Sequence, residues 1–381
     1  MPYETLAARC NNSIFSFTSS GISAAAVKWS TTSYPYDTGN YPSAAQGPAF
    51  NLCLGGGCNF VNMWATAFQG NSTDLIYHAS GQNNGYTYDH GYFPTIATDT
   101  WGNFIEIHQA DSVNSPFWYK IGYDNGTGAQ YMLNSASQND WGMSPVIAVH
   151  GHNCNEPNPH SAAFGDIIQV HQGGTNAGPL WMNFGEATNI DCNNGGSTPR
   201  WGGVQWLGAQ PYSTGFYPSV ALNALSGSGP AMGNACILEA HQDGPGFGIV
   251  RWQSGGLSYS GSSWSYGSTA SGSFGSGAQH ASVCIYDGYN GGNYVDTAVM
   301  VLELDDGSLM SIDGPIGNDV YTNKSCVWTP LNYQTYDRGA YPRISCESGT
   351  LSGRGGVQGV EVHQGSSSTS AVPLWTRGFT E

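Results

Sequence analysis

Three stretches, Glu106-Ile107-His108-Gln109, Glu239-Ala240-His241-Gln242 and Glu361-Val362-His363-Gln364, each set a carboxylate two residues before an imidazole. A fourth, Gln169-Val170-His171-Gln172, keeps the imidazole and loses the acid. A carboxylate beside an imidazole can do acid–base work. An active site, however, is normally built once, and this pattern recurs. In a strand, residues two apart share a face. The pair therefore reads first as a repeated buried hydrogen bond that sets the spacing between neighbouring units. The second reading is direct ligand contact by Glu106, His108, His171, Glu239, His241, Glu361 and His363.

Aromatic residues recur beside this pattern: Phe117-Trp118-Tyr119, Leu180-Trp181-Met182, Val250-Arg251-Trp252 and Leu374-Trp375. Any one of them is at home as core packing. Taken together, Trp118, Trp181, Trp252 and Trp375 are candidate floors of shallow pockets. A sugar ring offers a C–H face to an indole and hydroxyls to a few polar groups, the mixture found in a specific small-ligand site.

These residues must be positioned by a repeating element. Gly-x-x-Pro occurs at Gly39/Pro42, Gly91/Pro94, Gly142/Pro145, Gly215/Pro218 and Gly339/Pro342, and a sixth copy at Gly277 lacks the proline. Successive glycines lie 52, 51, 73, 62 and 62 residues apart. After each comes an apolar strand, then the alternating strand with Glu-x-His-Gln, then the aromatic strand. A fourth segment follows around Trp29, Tyr88, Trp206, Trp264 or Trp328. β-Branched and aromatic runs of period two, cut by Gly, Asn, Asp and Ser, are strand signals. Four strands per unit make the blade of a β-propeller. Copy one drifts to Ala65-Thr66-Ala67-Phe68-Gln69, and copy five to Leu302-Glu303-Leu304-Asp305-Asp306, which reads as Asp305-Asp306 standing where other copies carry His-Gln.

The expected fold is all-β: a propeller of six four-stranded blades, with a seventh left open by Ile14-Phe15-Ser16-Phe17. The ring is closed by the N-terminal strand near Val27-Lys28-Trp29, which completes the last blade and removes free edges. Residues 1–26 form an N-terminal segment, and residues 27–381 form one propeller domain.

Only 9% of residues are charged and the net charge is −16, with 10 Lys and Arg in total. That excludes nucleic acid as a natural partner, because a phosphate backbone is gripped by cations. No stretch is long and apolar enough for a spanning helix, so membrane insertion is not expected. The first residues show no basic region followed by an apolar run, hence no visible signal peptide. A cytosolic protein and a mature secreted form fit equally. Oligomerisation is left open.

Nine cysteines are present. Cys53 and Cys58 are spaced for a hairpin bridge, Cys154 and Cys192 lie in insertions, and Cys284, Cys326 and Cys346 read as reduced core residues beside strands. Asn11, Asn71, Asn125 and Asn323 begin glycosylation sequons. The loop His150-Gly151-His152-Asn153-Cys154-Asn155-Glu156 holds metal-ligand residue types without a zinc spacing, and reads as a solvated loop. No metal or cofactor is expected.

Trp328, Tyr336-Asp337-Arg338-Gly339, Tyr341-Pro342, Val360-Glu361-Val362-His363-Gln364 and Leu374-Trp375 together resemble the repeat of the fucose-binding β-propeller lectins of Photorhabdus bacteria, the PLL type. Trp29 with Tyr36-Asp37-Thr38-Gly39 matches too, as does Glu106-Ile107-His108-Gln109 with Phe117-Trp118-Tyr119. The resemblance spans about residues 27–379. It implies a lectin with several sites between blades for fucose or O-methylated sugars on glycans, and no catalysis. The chain departs from that family in its longer units, in six copies rather than seven, and in its cysteine-bearing insertions. The alternatives are a glycoside hydrolase or lyase with one site in the central channel, and a protein-binding scaffold.

Overall fold

Four of the six repeat boundaries fall inside a strand that serves two blades. The computed structural model describes residues 27–31, 33–47, 61–67, 74–78, 86–99, 103–124, 130–132, 137–149, 167–188, 201–224, 235–260, 263–290, 293–319, 324–346, 359–367 and 372–380. Strand Gly203–Ala224 shows the arrangement. Its first part pairs with Gly178–Thr188, and its second, after a bulge, with Ala235–Gln242. It is thus the outer strand of one blade and the inner strand of the next.

The result is a six-bladed β-propeller. Blade 1 runs through residues 40–47, Val61–Ala67, Asp74–His78 and Tyr86–His90. Blade 2 uses Tyr92–Thr98, Asn103–Gln109, Ser115–Asp124 and the start of Ser137–Val149. Blade 3 uses the rest of that strand, Ile167–Gln172, Gly178–Thr188 and the start of Gly203–Ala224. Blade 4 continues through Ala235–Gln242, Gly248–Ser260 and the start of Ser263–Asn290. Blade 5 takes the end of that strand, Asn293–Leu304, Ser308–Asp319 and Asn332–Arg338. Blade 6 takes Ala340–Cys346, Gly359–Gln364 and Val372–Thr380, and is completed by residues 34–39. Lys28 and Trp29 extend the same closure by pairing with Thr380 and Phe379. The expected closing of the ring by the N-terminal strand is therefore what is found. Ile14–Phe17 lies outside the described residues.

Six residues mark the entry to the six inner strands, each with positive φ: Tyr41 (52°), Phe93 (49°), Ser144 (50°), Tyr217 (48°), His280 (49°) and Tyr341 (53°). A non-glycine residue there is strained. The strain is held by the preceding blade. The backbone N–H of Tyr41 donates to Gln364 Oε1 at 2.8 Å, that of His280 to Gln242 Oε1 at 2.7 Å, and that of Ser144 to Gln109 Oε1. The same glutamines donate from Nε2 to carbonyls of their own loops, as Gln242 does to Gly244 at 3.0 Å. The glutamine of Glu-x-His-Gln is thus a latch between blades, and Gln364 latches the two ends of the ring.

His280 corrects the reading of the fifth copy. It shares its conformation with Tyr217, so Ala278, not Gly277, takes the repeat glycine's place, and Ala281 takes that of the proline. The pairing of Gln279 with Glu303 then places Met300, Leu302 and Glu303 where other blades carry Glu, His and Gln. Asp305-Asp306 does not stand at His-Gln. It forms a tight turn in which Gly307 N–H donates to Leu304 O and Ser308 N–H to Asp306 Oδ1. Glu303 does the glutamine's work, accepting from Tyr341 N–H at 3.2 Å.

The second strand of a blade meets a neighbour on both faces. Asn103–Gln109, Ile167–Gln172 and Gly359–Gln364 are accordingly buried along their whole length. Aromatic residues of the fourth segment fill wedges: Trp29 stacks on Tyr336 with centroids 4.0 Å apart, and Trp328 packs edge-on to Trp252 at 4.9 Å. Two disulfides correct the reading of reduced core cysteines. Cys236 bridges to Cys326, and Cys284 to Cys346, each tying one blade to the next. Cys53, Cys58, Cys154, Cys192 and the four sequon asparagines lie outside the described residues.

Candidate functional site

The repeated polar residues meet at the blade junctions. In the junction between blades 1 and 2, His108 Nδ1 lies 3.1 Å from both oxygens of Glu106, whose Oε1 also accepts from Tyr88 Oη at 2.8 Å. Tyr88 and Asp89 come from the outer strand of blade 1. Asp89 stands 3.9 Å from His108 Nε2 and pairs with Lys120 Nζ at 2.9 Å. In register, His108 is opposite Trp118, so indole, imidazole and the Lys120 stem share one face.

The set repeats. Between blades 3 and 4, His241 Nδ1 is 3.0 Å from Glu239, which accepts from Tyr212 Oη at 2.9 Å, while His241 Nε2 meets Ser213 Oγ at 3.3 Å. Between blades 5 and 6, His363 Nδ1 pairs with Glu361 at 3.0 Å, and Arg377 reaches Asp337 at 3.1 Å. Between blades 2 and 3, Gln169 Nε2 donates to His171 Nδ1 at 2.9 Å, and His171 Nε2 faces Asp140 at 4.0 Å. Between blades 4 and 5 the equivalent residues are apolar, Met300 and Leu302 facing Met310 and Ile312. Among the described residues, four junctions carry the polar set.

In the repeats that carry the histidine, both the imidazole and a backbone carbonyl occupy the space a side chain on the repeat glycine would need. A Cβ on Gly91, Gly215 or Gly339 would lie 2.6, 2.8 or 2.4 Å from Cδ2 of His108, His241 or His363, and about as close to a backbone carbonyl. In blade 5, where Leu302 replaces the histidine, Ala278 replaces the glycine.

Burial separates framework from rim. Glu106, Glu239 and Glu361 are fully buried, and the four histidines nearly so. Trp118, Trp181 and Trp375 are half-buried at equivalent register, opposite His108, His171 and His363. Trp252 is placed differently. Its partner is Ala240, it is buried in the core, and Arg251 stands opposite His241 in the place expected of it. A one-residue step turns a side chain to the other face of a sheet. The signal was available: ten residues separate His108 from Trp118, His171 from Trp181 and His241 from Arg251. Arg251 forks onto Asp243 with contacts of 2.5 and 2.8 Å.

The acidic rim, Asp89, Asp140 and Asp337, and the polar residue two after each aromatic, Lys120, Asn183 and Arg377, carried no assignment from the sequence. They are further polar groups of these clefts, and for Asp89 and Asp337 the Tyr-Asp-x-Gly run was the visible sign.

The pairs tune the imidazoles. For His108, His241 and His363, burial pulls the pKa down, but the adjacent glutamate, by charge and hydrogen bond, overrides it and the pKa is raised. His171 has Gln169 instead of a glutamate, and burial lowers it to about 4. Gln169→Glu should therefore lift His171 above its ordinary value, read by NMR titration of the histidine ring. A His171 that stays near 4 in that variant would refute the role given to the carboxylate. Among the described residues no group of three His, Cys, Asp or Glu is placed to hold a metal, and no helix is long and apolar enough to cross a membrane. The loop at residues 150–156 lies outside the described residues.

No protein-family model and no curated protein matches this chain. Among solved structures it is similar to a fungal lectin of Aleuria aurantia described as a six-bladed β-propeller with a novel fucose recognition mode. The identity is 9%, with 90% of this chain and 92% of that chain covered and a TM-score of 0.46. It is also similar to the fucose-specific lectin of that organism in a mercury-derivative form, at 10% identity over 92% and 97% of the two chains, with a TM-score of 0.45. A variant of the same lectin bound to α-methyl-L-fucoside gives 10% identity, coverage of 92% and 96%, and a TM-score of 0.44.

Proposed function

We propose that this protein is a carbohydrate-binding lectin with several sugar sites at its blade junctions. The observation that carries the reading is the recurrence of a half-exposed indole, Trp118, Trp181 and Trp375, at one register beside a rim of polar groups. The indole suits the C–H face of a sugar, and Asp89, Asp140 or Asp337 with its polar neighbour suits the hydroxyls. The buried Glu–His pairs position the rim rather than touch the sugar. Fucose or an O-methylated sugar is the ligand class implied by the resemblance of the repeat to PLL-type lectins, since a methyl group adds apolar area to lay against the indole. Repeated weak sites on a rigid ring gain avidity on a multivalent glycan surface. The two interblade disulfides fit work in an oxidising compartment.

A glycan array including fucose and O-methylated sugars, followed by calorimetry, tests the proposal. More than one site per chain is expected. Trp375→Ala should weaken its own site by up to about 10-fold while leaving the others, and the combined Trp118→Ala, Trp181→Ala, Trp375→Ala variant should lose binding. Absence of any glycan binding, or a triple variant that binds like the parent, would overturn it.

A further inference from the structure

The three junctions with a half-exposed indole are alike in their floor and unlike at its outer edge. Trp118, Trp181 and Trp375 each stand two residues after a proline, Pro116, Pro179 and Pro373. Residues two apart on a strand share a face, and so do residues directly opposite on paired strands. The outer strand of the same blade therefore adds two side chains to each floor, one opposite the indole and one opposite the proline. In blade 3 they are Pro211 and Thr214, and in blade 6 they are Pro35 and Thr38. In blade 2 they are Gln138 and Trp141. Where two copies carry a proline and a small hydroxyl residue, the third carries an amide and a second indole.

Trp141 is 55% exposed. Tryptophan is highly buried on average, and an indole with over half its surface in water is not packing one blade on the next. Among the described residues its ring makes no aromatic contact and its Nε1–H no hydrogen bond. Its backbone N–H is held by Asp140 Oδ1 at 2.8 Å, which fixes the strand where the side chain leaves it. Gln138 is also exposed, and among the described residues its amide makes no hydrogen bond. On the inner side of Trp118 the cation is already engaged, with Lys120 Nζ 2.9 Å from both Asp89 and Tyr88 O. The groups with capacity to spare are on the outer side.

Residues three apart on a regular strand point to opposite faces. The register shift between Gln138 and Trp141 brings both to the face of Trp118. Trp141 is then the diagonal neighbour of Trp118, at a backbone separation of about 7–8 Å. That is wider than one sugar ring and suits two joined ones. We propose that the junction between blades 1 and 2 is an extended site that takes two linked sugar rings, the first over Trp118 and the second over Trp141, with Gln138 hydrogen-bonding their hydroxyls. The equivalent positions Thr214 and Thr38 offer no second platform, so the other two indole junctions read a single ring. The inference rests on the reading of the junctions as sugar sites.

Calorimetry on the full chain carrying Trp181→Ala and Trp375→Ala leaves this junction as the indole site under test. The probes are methyl α-L-fucoside, its O-methylated derivative, and a panel of disaccharides with either sugar at the non-reducing end. The best disaccharide should bind about 3–10-fold tighter than its own monosaccharide, and Trp141→Ala should remove that gain. In nitrogen-labelled protein the indole N–H signal of Trp141, assigned by its loss in Trp141→Phe, should move on adding the disaccharide and not on adding the monosaccharide. Equal affinity for the monosaccharide and every disaccharide of the panel, or a gain that survives Trp141→Ala, overturns the inference and leaves the lectin reading standing. No binding of any probe by the parent chain overturns both.

Discussion

Glu239→Ala should cost about 3–5 kcal/mol of folding stability, the range for breaking a buried charge pair by removing one partner. The carboxylate is fully buried and satisfies three donors from three strands: Tyr212 Oη at 2.9 Å, His241 Nδ1 at 3.0 Å and Gln253 Nε2 at 3.2 Å. Alanine leaves all three without that acceptor, His241 among them buried inside the junction. Glu239→Gln keeps the volume and one acceptor oxygen and should cost less, and its effect should depend on pH. In the parent, burial pulls His241 down while Glu239, with help from Asp243 and against Arg251, raises it. A raised folded pKa means that the His241 contribution is fully present below the unfolded value of ~6.5 and is lost as pH rises through the folded value. With glutamine the balance inverts, as in blade 3, where His171 sits at about 4. The contribution is then present above ~6.5 and lost as pH falls toward the folded value. Chemical denaturation should therefore show a larger penalty for Glu239→Gln at pH ~5 than at pH ~8. A Glu239→Ala penalty under about 1 kcal/mol would show that the pair is not a structural element of the ring.

Much of this architecture was legible because the repeat exposes its own grammar. Gly-x-x-Pro followed by Glu-x-His-Gln gave the blade count, the strand order and the closure through the N-terminus. The face shared by Glu106 and His108 followed from period two alone. What stayed hidden was register wherever a copy had drifted. Leu302 and Ala278 changed together because an imidazole and a Cβ compete for the same space. With both changed, blade 5 no longer displayed the motif that would have aligned it. Trp252 was misplaced for the same kind of reason: one residue along a strand reverses the face, and an aromatic beside an arginine draws the eye to the wrong one. The rim partners Asp89, Asp140 and Asp337 belong to the preceding blade, so their meeting with His108, His171 and His363 is a property of the ring and not of any one unit. The disulfides were illegible because cysteines 90 and 62 residues apart meet only once consecutive blades are stacked side by side.

Those disulfides carry the second large effect. Cys236→Ser with Cys326→Ser should destabilise the protein by about 4–5 kcal/mol if the main contribution is the entropy of an unfolded chain closed over a loop of this length. The shorter loop of Cys284–Cys346 should give only slightly less, because the dependence on length is logarithmic. Their positions sharpen the expectation. Cys236 is on the second strand of blade 4 and Cys326 on the strand Lys324–Trp328 that extends blade 5, so the bridge clamps the junction that lacks the polar set. Cys284 and Cys346 join the inner strands of blades 5 and 6. Blade 5 is thus bridged on both sides. It is also the blade whose Glu–His pair is replaced by Met300 and Leu302, so one of the two covalent links, Cys236–Cys326, stands at the junction where the repeated hydrogen bonds do not. Removing both bridges should lower the denaturation midpoint and also split the transition, with the region around blade 5 opening before the rest. Hydrogen exchange in reduced protein should show protection lost first in Asn293–Leu304 and Ser308–Asp319. Uniform loss of protection across all six blades would mean that the bridges act only through the unfolded chain and that blade 5 is no weaker than its neighbours.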